Sequence, residues 1–433
     1  MKNYDVTIIG AGVVGSALLY TLSKYTKIEN LALIEKYAEP GLVNSSSEHN
    51  SQTLHFGDIE TNYTLEKALK VKQSATLVKN FLERNRPETD YLFKKPRKMV
   101  LAVGASQVAE LEKRYHEFKT EYPTLQKIHR EEIAEIEPNL LKDRNPKTPI
   151  LALLSDEGYT INYGHLAQHF VKKSPRATTH FNQKVHKITK TTNGYAIELP
   201  NQTFHTKILI VTTGPYSLLF AKQLGYGQNF GLLPIAGTFF RTNKKLLNNK
   251  VYTLQLKDLP FAAVHGDPDV ENPNETRFGP TAKVLPVLER GHIKSFIDFL
   301  KTSKFSPKGI ASLFKIISNP RLFLYVLRNF TYDIPFIGKH LFLKEIRKIV
   351  PSAKISDFEY KNIIGGMRPQ IVNTDTKKLE MGTAKILGEN AIFNITPSPG
   401  ATNCLKNALE DTKKICAMLN TEFHLEQFQK DLE

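Results

Sequence analysis

The chain has 433 residues, of which 41% are hydrophobic and 24% charged, so it is globular, long enough for two domains, and neither disordered nor fibrous. Its net charge is +16, and its two cysteines, Cys404 and Cys416, have no metal-ligand or redox spacing, so no metal centre or disulfide framework is expected. Strand signals begin within six residues of Met1 and no stretch approaches ~20 clean apolar residues, so neither a signal peptide nor a membrane span is expected, and the reduced cysteines suit a cytoplasmic setting.

The first element is Asp5-Val-Thr-Ile-Ile-Gly10-Ala-Gly12-Val-Val-Gly15. Val6 to Ile9 is a β-branched run that predicts a buried parallel strand. Gly10, Gly12 and Gly15 follow with the spacing of a dinucleotide fingerprint: a tight turn, a close backbone approach to pyrophosphate, and close packing of the next helix. That helix, over about 15–24, aims its N-terminal amides at the phosphates. A second strand, Leu31 to Ile34, ends at Glu35, 20 residues beyond Gly15, where a carboxylate accepts ribose hydroxyls. An acid there favours FAD or NAD over NADP.

Next, the polar, Ser-rich segment from Asn44 to Gly57 reads as a loop past a ligand. Leu65 to Arg84 predicts an amphipathic helix and Lys98 to Val103 a strand. Gln107 to Glu121 and Ile128 to Glu137 predict two helices of an insertion. A helix starts near Tyr163, and Asn193-Gly194 marks a hairpin between Lys184–Thr189 and Tyr195–Leu199. Lys207 to Thr213 is a buried strand ending at Gly214. Strands are expected over Phe230–Arg241, Val251–Val264 and Phe278–Leu285, then a mainly helical stretch over 288–355. Ala391 to Thr396 is a last buried strand, and Pro397-Ser-Pro-Gly400-Ala-Thr402 turns into a final helix over about Asn403–Leu419.

The expected fold is α/β. A discontinuous, Rossmann-like nucleotide domain takes 1–90, 151–225 and 356–433. An α+β substrate domain with a mixed or antiparallel sheet takes 91–150 and 226–355.

Several residues could carry chemistry. The turn at Gly400 opens a helix after a buried strand, so its amides can stabilise negative charge, or it is an ordinary helix start capped by Ser398 or Thr402. His265 ends an apolar strand, and a histidine there is either a general base or structural. His55, deeper in the Ser-rich loop than His49, faces the same choice. Arg368 follows Gly365-Gly366 and can grip a carboxylate through two parallel hydrogen bonds, or is a turn arginine. Residues 283–354 hold 14 Lys/Arg against 4 Asp/Glu, interleaved with Phe, Leu and Ile. That pattern reads as a solvated face or as an amphipathic surface for anionic lipid, in preference to a nucleic-acid site.

The motif order, from Gly10 to the last helix, resembles the FAD-dependent malate:quinone oxidoreductases, in the compact form of epsilon-class proteobacteria. These lie within a broad family that includes D-amino acid oxidases, glycerol-3-phosphate dehydrogenase and L-2-hydroxyglutarate dehydrogenase. The resemblance is carried by Gly10–Gly15 with Glu35, Ile59-Glu-Thr-Asn-Tyr63-Thr, Val264-His265, Phe278-Gly-Pro-Thr281-Ala282 and Ser398-Pro-Gly400-Ala-Thr402. The chain departs from the commoner enzymes where they have a Gly-Thr-Gly-His loop. Here His49-Asn-Ser-Gln52-Thr-Leu-His55-Phe-Gly57 and Gly366-Met-Arg368-Pro-Gln370 look more like the L-2-hydroxyglutarate enzymes, which opens the identity of the 2-hydroxy acid.

The resemblance implies FAD held by Gly10, Gly12, Gly15, Glu35, Ser47, Val185, Gly214, Gly400, Ala401 and Thr402. It implies that His265 takes the hydroxyl proton of a 2-hydroxy dicarboxylate while hydride passes to the flavin, and that Arg368 holds a carboxylate. His55 and Gln52 line the same pocket and Thr281 adds a hydrogen bond, with Arg97, Lys98 or Lys283 meeting the distal carboxylate. It further implies electron transfer to membrane quinone from the cytoplasmic face of the inner membrane. The rival readings are an L-2-hydroxyglutarate dehydrogenase or oxidase and, in a different class, an RNA-associated flavoprotein.

Overall fold

The computed structural model describes residues 2–255, 263–303, 320–332, 334, 337–358, 365–380, 384–395 and 399–433. Some expected features lie partly outside them: positions 256–262 of the strand over Val251–Val264, positions 304–319, 333, 335 and 336 of the basic stretch, and positions 396–398 of the last strand and its turn, with the cap Ser398.

The first strand, Lys2–Ile9, is the axis of an eight-stranded sheet. It pairs in parallel with Leu31–Ile34 on one side and Thr203–Val211 on the other. Ala391–Ile395 continues the parallel series beyond Thr203–Val211, and Ala177–His180 continues it beyond Leu31–Ile34. The core strands are buried along their whole length because both faces are covered, one by helices and the other by the hairpin strands Lys187–Thr191 and Gly194–Glu198 with helix Tyr216–Gln223. Helix Val13–Tyr25 is buried almost all round, packed between Tyr163–Lys172 and Cys404–Leu419. Their side chains form one core with Val6, Ile8 and Ile210 of the sheet.

A seven-stranded sheet runs Phe240–Thr242, Thr276–Gly279, His265–Pro268, Lys250–Thr253, Lys98–Val103, Ile150–Ser155, Gln126–Ile128, with one parallel pairing, Lys250–Thr253 on Lys98–Val103. A four-stranded antiparallel sheet runs Lys283–Val284, Phe230–Ala236, Met367–Asn373, Lys378–Glu380. The mixed α/β content follows the expected class, but several segments sit elsewhere than expected. Ile150–Ser155, placed by its sequence position at the opening of a nucleotide-domain segment, lies in the seven-stranded sheet between Lys98–Val103 and Gln126–Ile128. Met367–Asn373 pairs with Phe230–Ala236 and not with the nucleotide sheet. The run Phe230–Arg241 is two strands: at Gly237 the chain leaves the four-stranded sheet, and Phe240–Thr242 enters the seven-stranded one. Helix Leu425–Leu432, which buries Phe428 and Leu432 against Tyr25, and the polar edge strand Ala177–His180 carry patterns too short or too polar to stand out in the sequence.

Candidate active site

The glycine turn does what its spacing demands. Gly10 has φ +101°, and a Cβ on it would lie 2.8 Å from the Thr212 carbonyl oxygen. A Cβ on Gly15 would lie 2.1 Å from the Gly10 oxygen, so only glycine lets the helix start against the strand end. Ser45 Oγ accepts from the Val13 N–H at 3.0 Å. The Glu35 carboxylate accepts from the Ala11 N–H at 2.8 Å and from the Tyr37 N–H at 3.1 Å. Burial raises its pKa against the pull of those bonds.

A cavity of about 570 Å³ runs past this turn. Gly10, Gly12, Glu35, Val185, Gly214, Gly400, Ala401 and Thr402 all line it. So two helix N-termini, those of Val13–Tyr25 and Cys404–Leu419, open onto one space. Gly15 and Ser47 are not among its walls. Gly15 packs beneath the turn, and the Ser47 hydroxyl donates to Glu271 Oε1 at 2.8 Å. Ser45 takes the wall position that Ser47 was expected to hold.

At the other end the Ser-rich loop and the four-stranded sheet meet. Asn44 Oδ1 accepts from the Met367 N–H at 2.9 Å, which sets the start of Met367–Asn373, and Arg368 with it, beside the loop. Arg368 lines the cavity, and its guanidinium lies 3.7 Å from where a Cβ on Gly237 would sit. His49 and His55 line it too. The His55 N–H donates to Thr402 Oγ1 at 3.2 Å, tying this loop to the second helix start. His55 Nδ1 pairs with Glu60 Oε1 at 2.7 Å. Burial pushes the Glu60 carboxyl up, but the His55 hydrogen bond and the nearby Lys98 charge outweigh it and hold the group down at about 2. Glu60 is therefore an anion that fixes the His55 tautomer and leaves Nε2 as the ring nitrogen for chemistry.

The remaining candidates are placed differently. His265 is 1% exposed, stacked on Tyr252 with ring centroids 4.6 Å apart, and its Nε2 is 3.3 Å from Asp267 Oδ1. Burial lowers its pKa to about 3 against the pull of Asp267, with Lys250 and Arg277 lowering it further. It is a buried histidine and is not among the residues that line this cavity, whereas His55 is. Lys98 Nζ is bound to Asp58 Oδ1 at 2.6 Å with both side chains buried. Gln52 is spent on Ser47, Asp269 and Val270. Thr281 Oγ1 accepts from the Thr238 N–H at 3.0 Å. The Arg97 N–H donates to Asn249 Oδ1 at 3.0 Å, and burial beside Arg290 lowers Lys283 to about 8. None of these five residues is a wall of the cavity. Glu60, the partner of His55, is not singled out by residue type or spacing alone. Its signal was an acid five positions after a histidine, inside the motif quoted for the resemblance.

A dinucleotide cradle joined to a histidine–carboxylate pair and an arginine defines a nucleotide-dependent oxidoreductase. Solved structures share its fold: L-α-glycerophosphate oxidase from Mycoplasma pneumoniae, with FAD bound, at TM-score 0.69 and 18% identity, covering 98% of this chain and 96% of that one. Glycine oxidase from Geobacillus kaustophilus gives TM-score 0.66 at 16% identity, covering 96% and 95%. The family model for malate:quinone oxidoreductase matches residues 2–432, and the chain belongs to that family. It is 39% identical to a probable malate:quinone oxidoreductase of Campylobacter jejuni, over all of this chain and 99% of that one. It is 38% identical to the malate:quinone oxidoreductase of Helicobacter pylori, over 99% and 98%.

Proposed function

We propose that this protein oxidises L-malate to oxaloacetate with FAD as its cofactor and membrane quinone as the electron acceptor. The observation that carries the reading is the His55–Glu60 pair in the wall of the cavity that Gly10, Glu35 and Arg368 also line.

The cavity suits FAD. The glycines let the strand end, the turn and the helix start pack tightly, which brings the turn's backbone to the cavity for a pyrophosphate, and Glu35 lines the cavity beside it for a ribose. Gly10, Gly12 and the Val13 turn would hold the phosphates. Gly400, Ala401 and Thr402 would present amides where charge gathers on the reduced ring. Bound FAD supplies the hydride acceptor for C2 of the substrate. Arg368 binds a substrate carboxylate through its planar fork and so fixes which face of C2 is presented. His55 Nε2 takes the proton of the C2 hydroxyl, and the Glu60 carboxylate stabilises the imidazolium that results. The alcohol thereby loses one proton to His55 and one hydride to the cofactor, which balances its conversion to a ketone.

The test is an anaerobic absorption spectrum of the flavin-loaded protein with L-malate and, in parallel, L-2-hydroxyglutarate. Bleaching of the flavin band near ~450 nm by malate is expected. Bleaching by the longer acid alone would transfer the assignment to L-2-hydroxyglutarate. No bleaching by either would remove the substrate class.

The acceptor side follows from the basic region. Among the described residues no helix is long and apolar enough to cross a membrane. Yet Phe323, Leu324, Leu327 and Phe330 are exposed on helix Pro320–Thr331, and Ile334 and Ile337, just beyond it in the chain, are exposed too. Lys339 and Lys344 are on the next helix, Ile337–Ile349. An interleaved apolar and cationic face of this kind suits the anionic headgroup layer better than nucleic acid, which would not recruit long aliphatic side chains. The protein then sits peripherally on the cytoplasmic face of the inner membrane. Replacing Phe323, Leu324 and Leu327 together by Ser is expected to abolish cosedimentation with anionic vesicles. Unchanged cosedimentation would place membrane contact elsewhere.

A further inference from the structure

The cavity continues past Glu35 to an end built from residues that the dinucleotide fingerprint does not contain. Lys36 and Tyr37 follow the strand Leu31–Ile34, and they meet a segment more than 250 residues later in the chain. The Glu289 carboxylate is 6% exposed; one oxygen pairs with Lys36 Nζ and the other accepts from the Tyr37 hydroxyl. The Tyr37 hydroxyl also lies 3.4 Å from His292 Nε2. Lys36 Nζ sits 4.8 Å from the ring centroids of both Tyr37 and Tyr216. Ser295 fixes the turn that presents Glu289: its hydroxyl accepts from the Glu289 N–H at 3.2 Å and donates to the His292 carbonyl at 2.6 Å. Lys36, Tyr37, Tyr216, Glu289 and His292 all line the cavity, on the side where the ribose carboxylate Glu35 stands.

We infer that Lys36, Tyr37, Tyr216 and Glu289 form a second grip on the adenosine half of FAD, closed over the cofactor from the four-stranded-sheet side. The inference rests on the FAD reading above. Glu289 lies five residues beyond strand Lys283–Val284 of the four-stranded sheet, whereas Lys36 lies at the end of a nucleotide-sheet strand. The ion pair between them therefore fastens one structural layer to the other in the cavity wall beside Glu35. Opening it strands a buried carboxylate without its cation, which is costly when one partner is removed or withdrawn. Two tyrosine rings at the same end supply flat apolar faces of the kind that purines stack on. The reacting groups His55 and Arg368 belong to other segments, so this grip governs how long the cofactor stays rather than the chemistry.

Protein loaded with FAD and freed of excess flavin would be diluted, and the release of flavin followed by its fluorescence. The same would be done with FMN, which lacks the adenosine half. Variants Glu289→Gln, Lys36→Met and Tyr37→Phe would be compared with wild type. Glu289→Gln and Lys36→Met are expected to release FAD at least tenfold faster, with FMN release unchanged. Tyr37→Phe keeps the ring and both charges, so it tests the grip even where a charge variant fails to fold, and it is expected to release FAD severalfold faster. FAD release within twofold of wild type in every folded variant would overturn the inference, as would equal loosening of FAD and FMN. Wild-type protein that takes up no FAD at all would instead overturn the cofactor reading.

Discussion

Replacing His55 by Ala is expected to slow malate-dependent flavin reduction by about 100- to 10,000-fold, the usual contribution of a positioned general base. FAD binding should persist, because the backbone N–H that ties this loop to Thr402 is retained by alanine. His265→Phe is the matched comparison. His265 is buried in the seven-stranded sheet, where burial lowers its pKa, and it is not among the residues that line the cavity. Its replacement should leave the single-turnover rate close to wild type. The opposite ranking, with His265→Phe dead and His55→Ala active, would remove the His55–Glu60 pair from the mechanism. Glu60→Gln should fall between them, since an amide oxygen still accepts from Nδ1–H but cannot neutralise the imidazolium. Glu60 also links this pair to stability. Its folded-state value of about 2 lies below the ordinary 4.5, so the pairing stabilises the fold fully above pH 4.5 and the contribution is lost as pH falls through about 2. Calorimetry across that window should show a flatter decline for Glu60→Gln.

The contrast between these two histidines marks where the sequence can be read and where it cannot. Gly10, Gly12, Gly15 and Glu35 are legible because their roles are set by local backbone geometry within one strand–turn–helix–strand unit. The helix Leu65–Arg84 and the strand Lys98–Val103 match their expected bounds, because a full period of apolar residues marks each of them. Side-chain partnership has no such local signature. Ser45 and Ser47 are both serines of one loop, and what separates them is Glu271, 224 residues beyond Ser47, which takes the Ser47 hydroxyl. Lys98 reads as a cation available to a substrate, but Asp58 occupies it from 40 positions away. The run Phe230–Arg241 is mostly apolar, and although Gly237-Thr238 interrupts it, that break does not say that the chain changes sheet there. Whether a polar residue faces a ligand or a buried partner is decided by long-range pairing, which composition and spacing do not encode.

Arg277 is the residue whose removal should cost the most stability. Its guanidinium is fully buried, hydrogen-bonded to Asp267 Oδ2 at 3.0 Å and ion-paired with Asp269 Oδ2 at 3.3 Å, and it donates to the Ser47 carbonyl at 3.0 Å. Burial pushes the Asp267 carboxyl up, yet the charges of Lys250 and Arg277 hold it below the ordinary carboxylate value. Arg277→Met would leave Asp267 with Lys250 at 3.6 Å and Asp269 with Gln52, two buried acids sharing too little positive charge. Removing one partner of such a pair costs about 3–5 kcal/mol. A fall of that size in urea stability is the expected result. Arg277→Lys should recover only part of it, because one ammonium cannot span both carboxylates as the planar fork does. The malate KM should rise in step. Arg277 anchors Ser47, Asp269 anchors Gln52, and Thr53 and His55 follow directly on the cavity wall. Wild-type stability in Arg277→Met would show that the acids are neutral or solvated, and would dissolve this strut. If instead stability falls while KM holds, the Ser-rich loop keeps its shape without the strut, and the geometry of His55 is set by Glu60 and Thr402 alone.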